Sequence, residues 1–298
     1  LLNMFSMAGL FFLVRVLKHK DFVVNSLAWM IFISAGTLTK RSALPLALAM
    51  GVVWILFIIK NHSQILPLKF NYKKVLLSII LSLLLIGNLG LYGYNLVVYK
   101  SILPGCTDIL TKEQCNLTQY AWRLENYALD EKLTIEESKE LGYPGPVEYL
   151  FTQWILNFFS RIYGPHGNSV AYFSIPVTIA HIILFFWLFA ITVFYYRDFS
   201  FTINSLLVIF LFYALILINE SYQHELIFGF KGVRIQGRYI IPVIGIIYAF
   251  FSKVLMTVPK KIIRLPILII TLLLYLYSGP LTFILKYNSV FVDWFVNH

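Results

Sequence analysis

Eight apolar stretches, most of them near the roughly 20 residues that a helix needs to cross a bilayer, leave few folds open to this sequence. They cover about Leu1–Leu17, Phe22–Leu38, Ser42–Ile59, Val75–Tyr99, Ser169–Tyr196, Phe201–Asn219, Tyr239–Val258 and Leu265–Leu285. Backbone inside a membrane has no water to bond to, so each stretch must satisfy its own polar groups, as a helix does. Composition agrees: 59% of the 298 residues are hydrophobic and only 13% are charged, where a soluble domain has about 25% charged. The expected fold is all-α, a polytopic transmembrane helix bundle of about 8 spans forming one domain over residues 1–298.

The net charge of +10 does not point to nucleic acid. Its cations fall in short clusters at the ends of apolar runs, as topogenic signals do, and no soluble basic face is left. Alternating the spans puts Lys18, Lys20, Lys60, Lys69, Lys73, Lys74, Arg197, Lys260, Lys261 and Arg264 on one side with almost no acids. That side is expected to be cytoplasmic, in the cytoplasmic membrane. The opposite side receives Lys40 and Arg41, the long polar segment 100–168, a basic loop over 220–238 and the tail from Lys286 to His298. The long segment carries nine acids against six cations, as an exported loop does. The chain opens at Leu1 inside an apolar run, with no charged region or cleavage pattern ahead of it, and so reads as a fragment that has lost an N-terminal part.

Cys106 and Cys115 are the only cysteines, and both lie on the expected outer side. A disulfide could close the eight residues between them in an oxidising compartment; two free thiols are the alternative. Thr134-Ile-Glu-Glu137 reads as a capping box opening a short helix through Leu141, which Pro144-Gly-Pro146 ends. Val147–Tyr163 is rich in aromatic residues and is expected to form an amphipathic helix in the outer interface, with Trp and Tyr at headgroup depth.

Two basic segments stand out. Lys40-Arg41 joins two apolar runs with no linker, so both cations sit at the outer boundary. Snorkelling to lipid phosphates would explain them; so would a phosphate-bearing ligand, which two cations and nearby backbone donors can neutralise. The second segment, Gly229–Pro242, crowds Lys231, Arg234, Gln236 and Arg238 among three glycines at the mouth of the next apolar run. Arg234 and Arg238 offer forked donors for phosphate, and Gln236 offers an amide for sugar hydroxyls. The plainer alternative is a loop paired to Glu220 or Glu225. Glu148, Glu220, His224 and Glu225 are acid/base candidates that also read as solvated loop charges, and His181 falls inside an apolar run, where a bundle would hydrogen-bond it. The sequence contains no P-loop, GxSxG or HExxH motif.

Thr37-Leu-Thr-Lys-Arg-Ser-Ala-Leu-Pro45 resembles the T-K-x-x-x-x-P boundary of polytopic glycosyltransferases of the GT-C superfamily. Gly232–Pro242 is similar to the G-x-Q-G-R-Y-x-x-P segment of a bacterial branch, domain-of-unknown-function family 2142, and the Cys106 to Cys115 loop is similar too. The chain departs from that segment in carrying Arg234-Ile235 between Val233 and Gln236. The resemblance implies an enzyme taking a sugar from a polyprenyl-phosphate-linked donor on the outer face of the membrane and passing it to a glycan, lipid or protein acceptor. Lys40, Arg41, Arg234 and Arg238 would then hold phosphate, and Gln236, Tyr239 and Glu148 would line the sugar. The family's catalytic acids belong to a first exported loop that would precede Leu1; the need for a divalent cation is left open. Rival classes are a transporter or flippase for a lipid-linked or anionic substrate, a polysaccharide polymerase or ligase, and a non-catalytic scaffold.

Overall fold

The computed structural model describes residues 1–65, 71–116, 132–162, 175–195, 200–230, 237–258 and 261–277. Among them the regular elements are all helical. The apolar runs become α1 (Leu2–Leu17), α2 (Phe22–Thr39), α3 (Leu44–Ile65) and α4 (Tyr72–Tyr99) before the long polar segment. That segment carries α5 (Cys106–Ile109), α6 (Lys112–Asn116), α7 (Ile135–Glu140), α8 (Pro146–Tyr149) and α9 (Ile155–Ile162). Then follow α10 (Ile175–Tyr195), α11 (Phe201–Phe228), α12 (Ile241–Thr257) and α13 (Lys261–Leu276). Five of these (α2, α3, α4, α10 and α11) are long and apolar enough to cross a membrane; α1, α12 and α13 are apolar but shorter.

Helices α1 and α2 form a hairpin. Its turn puts His19 and Asp21 at positive φ, and the buried Asn25 amide donates to the carbonyls of Lys20 and Asp21, which satisfies the turn from within. At Gly9 helix α1 comes close to both α2 and α3: a Cβ there would sit 3.4 Å from Met50 Cε and 3.7 Å from the Trp29 carbonyl. Lipid is as apolar as the side chains it replaces, so such helices associate by close packing rather than by escape from water. The main core collects Leu13, Val16, Leu46, Met50, Phe57, Ile209, Tyr213 and Val243, from α1, α3, α11 and α12. A second cluster (Leu184, Leu188, Ile247, Phe251, Leu255 and Ile267) joins α10, α12 and α13.

Helix α4 is peripheral. Of its 28 residues only Leu81 is buried, and it packs on α2. A short polar ladder ties the two: Asn88 Nδ2 donates to Ser34 O at 3.1 Å, Thr37 Oγ1 meets Asn88 Oδ1 at 2.7 Å, and the Tyr92 hydroxyl donates to Thr37 O at 2.7 Å. Inter-helix hydrogen bonds of this kind hold membrane helices where hydrophobic burial cannot.

The polar segment folds as short helices. Cys106 and Cys115 are joined by a disulfide, with Cα atoms 5.9 Å apart, which staples α5 to α6. Thiol labelling of the native chain is therefore expected to reach neither cysteine until a reductant is added; ready labelling of both would contradict the pairing. The Thr134 capping box forms: Thr134 Oγ1 accepts from Glu137 N, and Glu137 Oε2 accepts from Thr134 N at 2.7 Å. Those bonds favour the charged carboxylate and hold the Glu137 carboxyl below its usual range.

Pro146–Ile162 is continuous helix, with one π-type turn at Leu150–Trp154. Its aromatic residues, expected at headgroup depth, are mostly covered by protein, Phe151 being exposed. Tyr149, Trp154, Phe158 and Phe159 are buried in protein, with Phe159 edge-on to Phe185 of α10 at 5.3 Å. Protein covers that part of the apolar face, while Val147, Phe151 and Leu156 stay exposed.

The largest departure from expectation is in α11. The apolar run ends near Asn219, but the helix continues to Phe228 and stops at Gly229, in the left-handed conformation at φ 63°. Residues 220–228, expected to open a basic loop, are therefore helical. Glu225 is only 2% exposed and so is not a solvated loop charge. Its neighbours supply the reason. Tyr222 packs 5.2 Å from Tyr149, Phe230 stacks on Tyr143 at 4.4 Å, Leu133 N donates to Leu226 O, and Lys132 donates to Gln223. The extra turns of α11 give the polar segment a surface to fold on.

Candidate functional site

Helix α2 ends at Thr39, where Thr39 Oγ1 and Lys40 N both bond to Gly36 O. Lys40 is extended, and Arg41–Ala43 makes one 3₁₀ turn before Leu44 and Pro45 start α3. Proline suits the first turn of a helix because its missing N–H would have no partner there. Lys40 and Arg41 are both exposed. Across from them the chain enters α12 through a second 3₁₀ turn, Gly237–Ile240, with Pro242 at the head of the helix.

The two turns meet. The Lys40 ammonium lies over the Tyr239 ring, 4.8 Å from its centroid, a cation–π contact. Beneath them Tyr213, 1% exposed on α11, points its hydroxyl at Tyr239 O (3.1 Å) and Ser42 O (3.4 Å). A hydroxyl has one proton to donate, so it serves the two carbonyls in turn or shares a forked bond between them. Either way it fixes the α2–α3 junction to the mouth of α12. Helix α9 packs on the Gly237–Ile240 turn.

The sequence-derived candidates are distributed as follows. Lys40 and Tyr239 come together, and Arg41, next to Lys40 in the chain, is exposed. Arg234 and Gln236 lie outside the described residues, as does the side chain of Arg238, whose backbone belongs to the Gly237–Ile240 turn. Glu148 is exposed in the first turn of α8, and its carboxylate makes no hydrogen bond or ion pair among the described residues. His181 is buried in α10 with Nδ1 2.8 Å from Val177 O and its ring edge-on to Tyr275. His224 stacks near Phe228 with centroids 6.0 Å apart. Among the described residues no group of three His, Cys, Asp or Glu is placed to hold a metal.

Sequence reasoning passed over Tyr213. It sits in the middle of an apolar run with nothing to set it apart from the chain's other tyrosines, and only its contacts show its part. A Tyr inside a long apolar run, with apolar residues on both sides, is the one available signal. Such a hydroxyl needs a partner on a neighbouring helix.

Fold and site together define a helical membrane protein with a cation–aromatic cluster where two helix termini meet. No family model, no curated protein and no solved structure matches the chain.

Proposed function

We propose that this chain is a glycosyltransferase-like membrane protein that binds a polyprenyl-phosphate-linked sugar at Lys40 and Tyr239, on the outer face of the cytoplasmic membrane, in the synthesis of a cell-surface glycan. The observation that carries it is the Lys40–Tyr239 contact at 4.8 Å, which unites two basic segments far apart in the chain. An exposed ammonium on an aromatic face suits a phosphate beside a sugar: the cation meets the anion, and the ring stacks under the pyranose. All eight apolar helices are read as spans, with the ten cations named above facing the cytoplasm. The Arg238 backbone in the adjoining turn keeps the second basic segment next to the first. Apolar residues exposed on α3, Leu48, Val52 and Ile55 among them, leave lipid-facing surface along which an isoprenoid chain can lie.

The test is equilibrium binding of a short isoprenyl phosphodiester to the chain in nanodiscs. Lys40→Gln is expected to weaken binding about tenfold, the loss of one charge-assisted contact worth roughly 1.5 kcal/mol. Equal affinity of K40Q and wild type would remove Lys40 from the site and the reading with it.

A further inference from the structure

A second cation–aromatic contact lies at the other end of α3. Lys60 is sixteen residues on from Leu44, about 24 Å at the helical rise per residue, and so is remote from the Lys40–Tyr239 junction. Its ammonium sits 4.9 Å from the ring centroid of Phe201, the first residue of α11. Phe57 of α3, itself buried, is 6.0 Å from the Phe201 ring and 5.0 Å from the His19 ring in the α1–α2 turn. Thr202 Oγ1 donates to Leu17 O at 3.3 Å, which fastens the start of α11 to the end of α1. Three helix ends thus converge on one aromatic pair, with the exposed Lys60 and His19 each against one of its rings. Lys18 and Lys20, the neighbours of His19 in the turn, are exposed as well, and among the described residues none of the three lysines is in an ion pair. A topogenic signal needs cations near the membrane boundary but no particular contact; here one of them is seated on a ring where three helices meet. Leu56, one turn back from Lys60 on the same face, and Ile59 are exposed, so an apolar strip of α3 leads up to the ammonium.

We propose that this corner binds an anionic phospholipid of the leaflet at that end of the bundle. Lys60, with Lys18 and Lys20, holds the phosphodiester of the headgroup, and an acyl chain lies along Leu56 and Ile59. The Phe201 face positions the ammonium, which has three N–H donors and so keeps some for a phosphate oxygen. Basic pockets between membrane helices suit anionic headgroups in this way. The apolar strip is what selects a lipid over free phosphate, since free phosphate gains only the cations. The site stands apart from the Lys40 reading and does not depend on it.

The experiment is equilibrium binding of a short-chain phosphatidylglycerol to the protein in a neutral detergent, with short-chain phosphatidylcholine and inorganic phosphate as comparison probes. Wild type is expected to bind the phosphatidylglycerol about tenfold more tightly than either, the difference made by one charge-assisted contact or by the apolar strip. Lys60→Gln is expected to weaken that binding about tenfold. Phe201→Leu keeps an apolar side chain but removes the ring face, and is expected to weaken it about threefold. Lys73→Gln takes the same charge from an exposed position at the start of α4 and is expected to leave binding unchanged. Equal losses in K60Q and K73Q overturn the proposal in favour of general attraction between a basic surface and an anion. Inorganic phosphate binding as tightly as the lipid overturns it in favour of a simple anion site, and phosphatidylcholine binding as tightly overturns the choice of an anionic headgroup.

Discussion

Truncating Tyr149 to alanine is expected to loosen the polar segment from α11 at a cost of about 3–5 kcal/mol, the range for removing a buried aromatic side chain. Tyr149 has no exposed surface, and its ring lies 5.2 Å from Tyr222 and 6.4 Å from Phe230. Phe230 in turn stacks on Tyr143, so four rings from three parts of the chain share one cluster. This cluster lies at the end of α11, beyond the apolar run that closes near Asn219. Other ties among the described residues include Leu133 N to Leu226 O at 3.2 Å, Tyr222 to Pro144 O at 3.4 Å, and the Lys132–Gln223 contact. Amide hydrogen exchange over residues 132–149 is the measurement. Y149A should lose protection there while α1–α3 keep theirs; unchanged protection would mean that the cluster is not what holds the segment.

The second large effect is expected at Tyr213. Y213A removes a fully packed ring between α3, α11 and α12 and the hydroxyl bridging Ser42 O to Tyr239 O, a loss of about 3–5 kcal/mol. Tyr213→Phe keeps the ring and isolates the hydroxyl, at about 1–2 kcal/mol, because it leaves two backbone carbonyls without that donor. Thermal unfolding in detergent separates the two, and phosphodiester binding reports the site. Both variants should bind more weakly than wild type, since the junction and the α12 mouth are no longer tied together. A Y213F protein with wild-type stability and affinity would show that the tie does not matter.

These two tyrosines also mark the limit of what pattern can tell. The α1, α2 and α4 boundaries lie within about three residues of the apolar runs that announce them, since long apolar runs in a lipid-like setting have no alternative to helix. The Thr134–Glu137 capping box was legible for the same reason, its partners being three residues apart. Lys40 and Arg41 were legible as an anomaly, two cations where two apolar runs join without a linker. The extension of α11 to Phe228 was not: Glu220, His224 and Glu225 read as loop, and only a surface supplied by residues 132–149 makes helix the better state there. The aromatic face of α9 was legible as apolar, but its partner was not. An amphipathic pattern states that a face must be covered and does not say whether lipid or protein covers it.

By itself, then, the sequence determined the helical class, the positions of the apolar helices and the presence of two unusual basic segments, because each depends on residues close together in the chain. That Lys40 meets Tyr239 over Tyr213 was decided by the tertiary structure alone. The physical reason is that packing between membrane helices depends on close-fitting shapes and a few inter-helix hydrogen bonds, and neither leaves a periodic trace in the sequence.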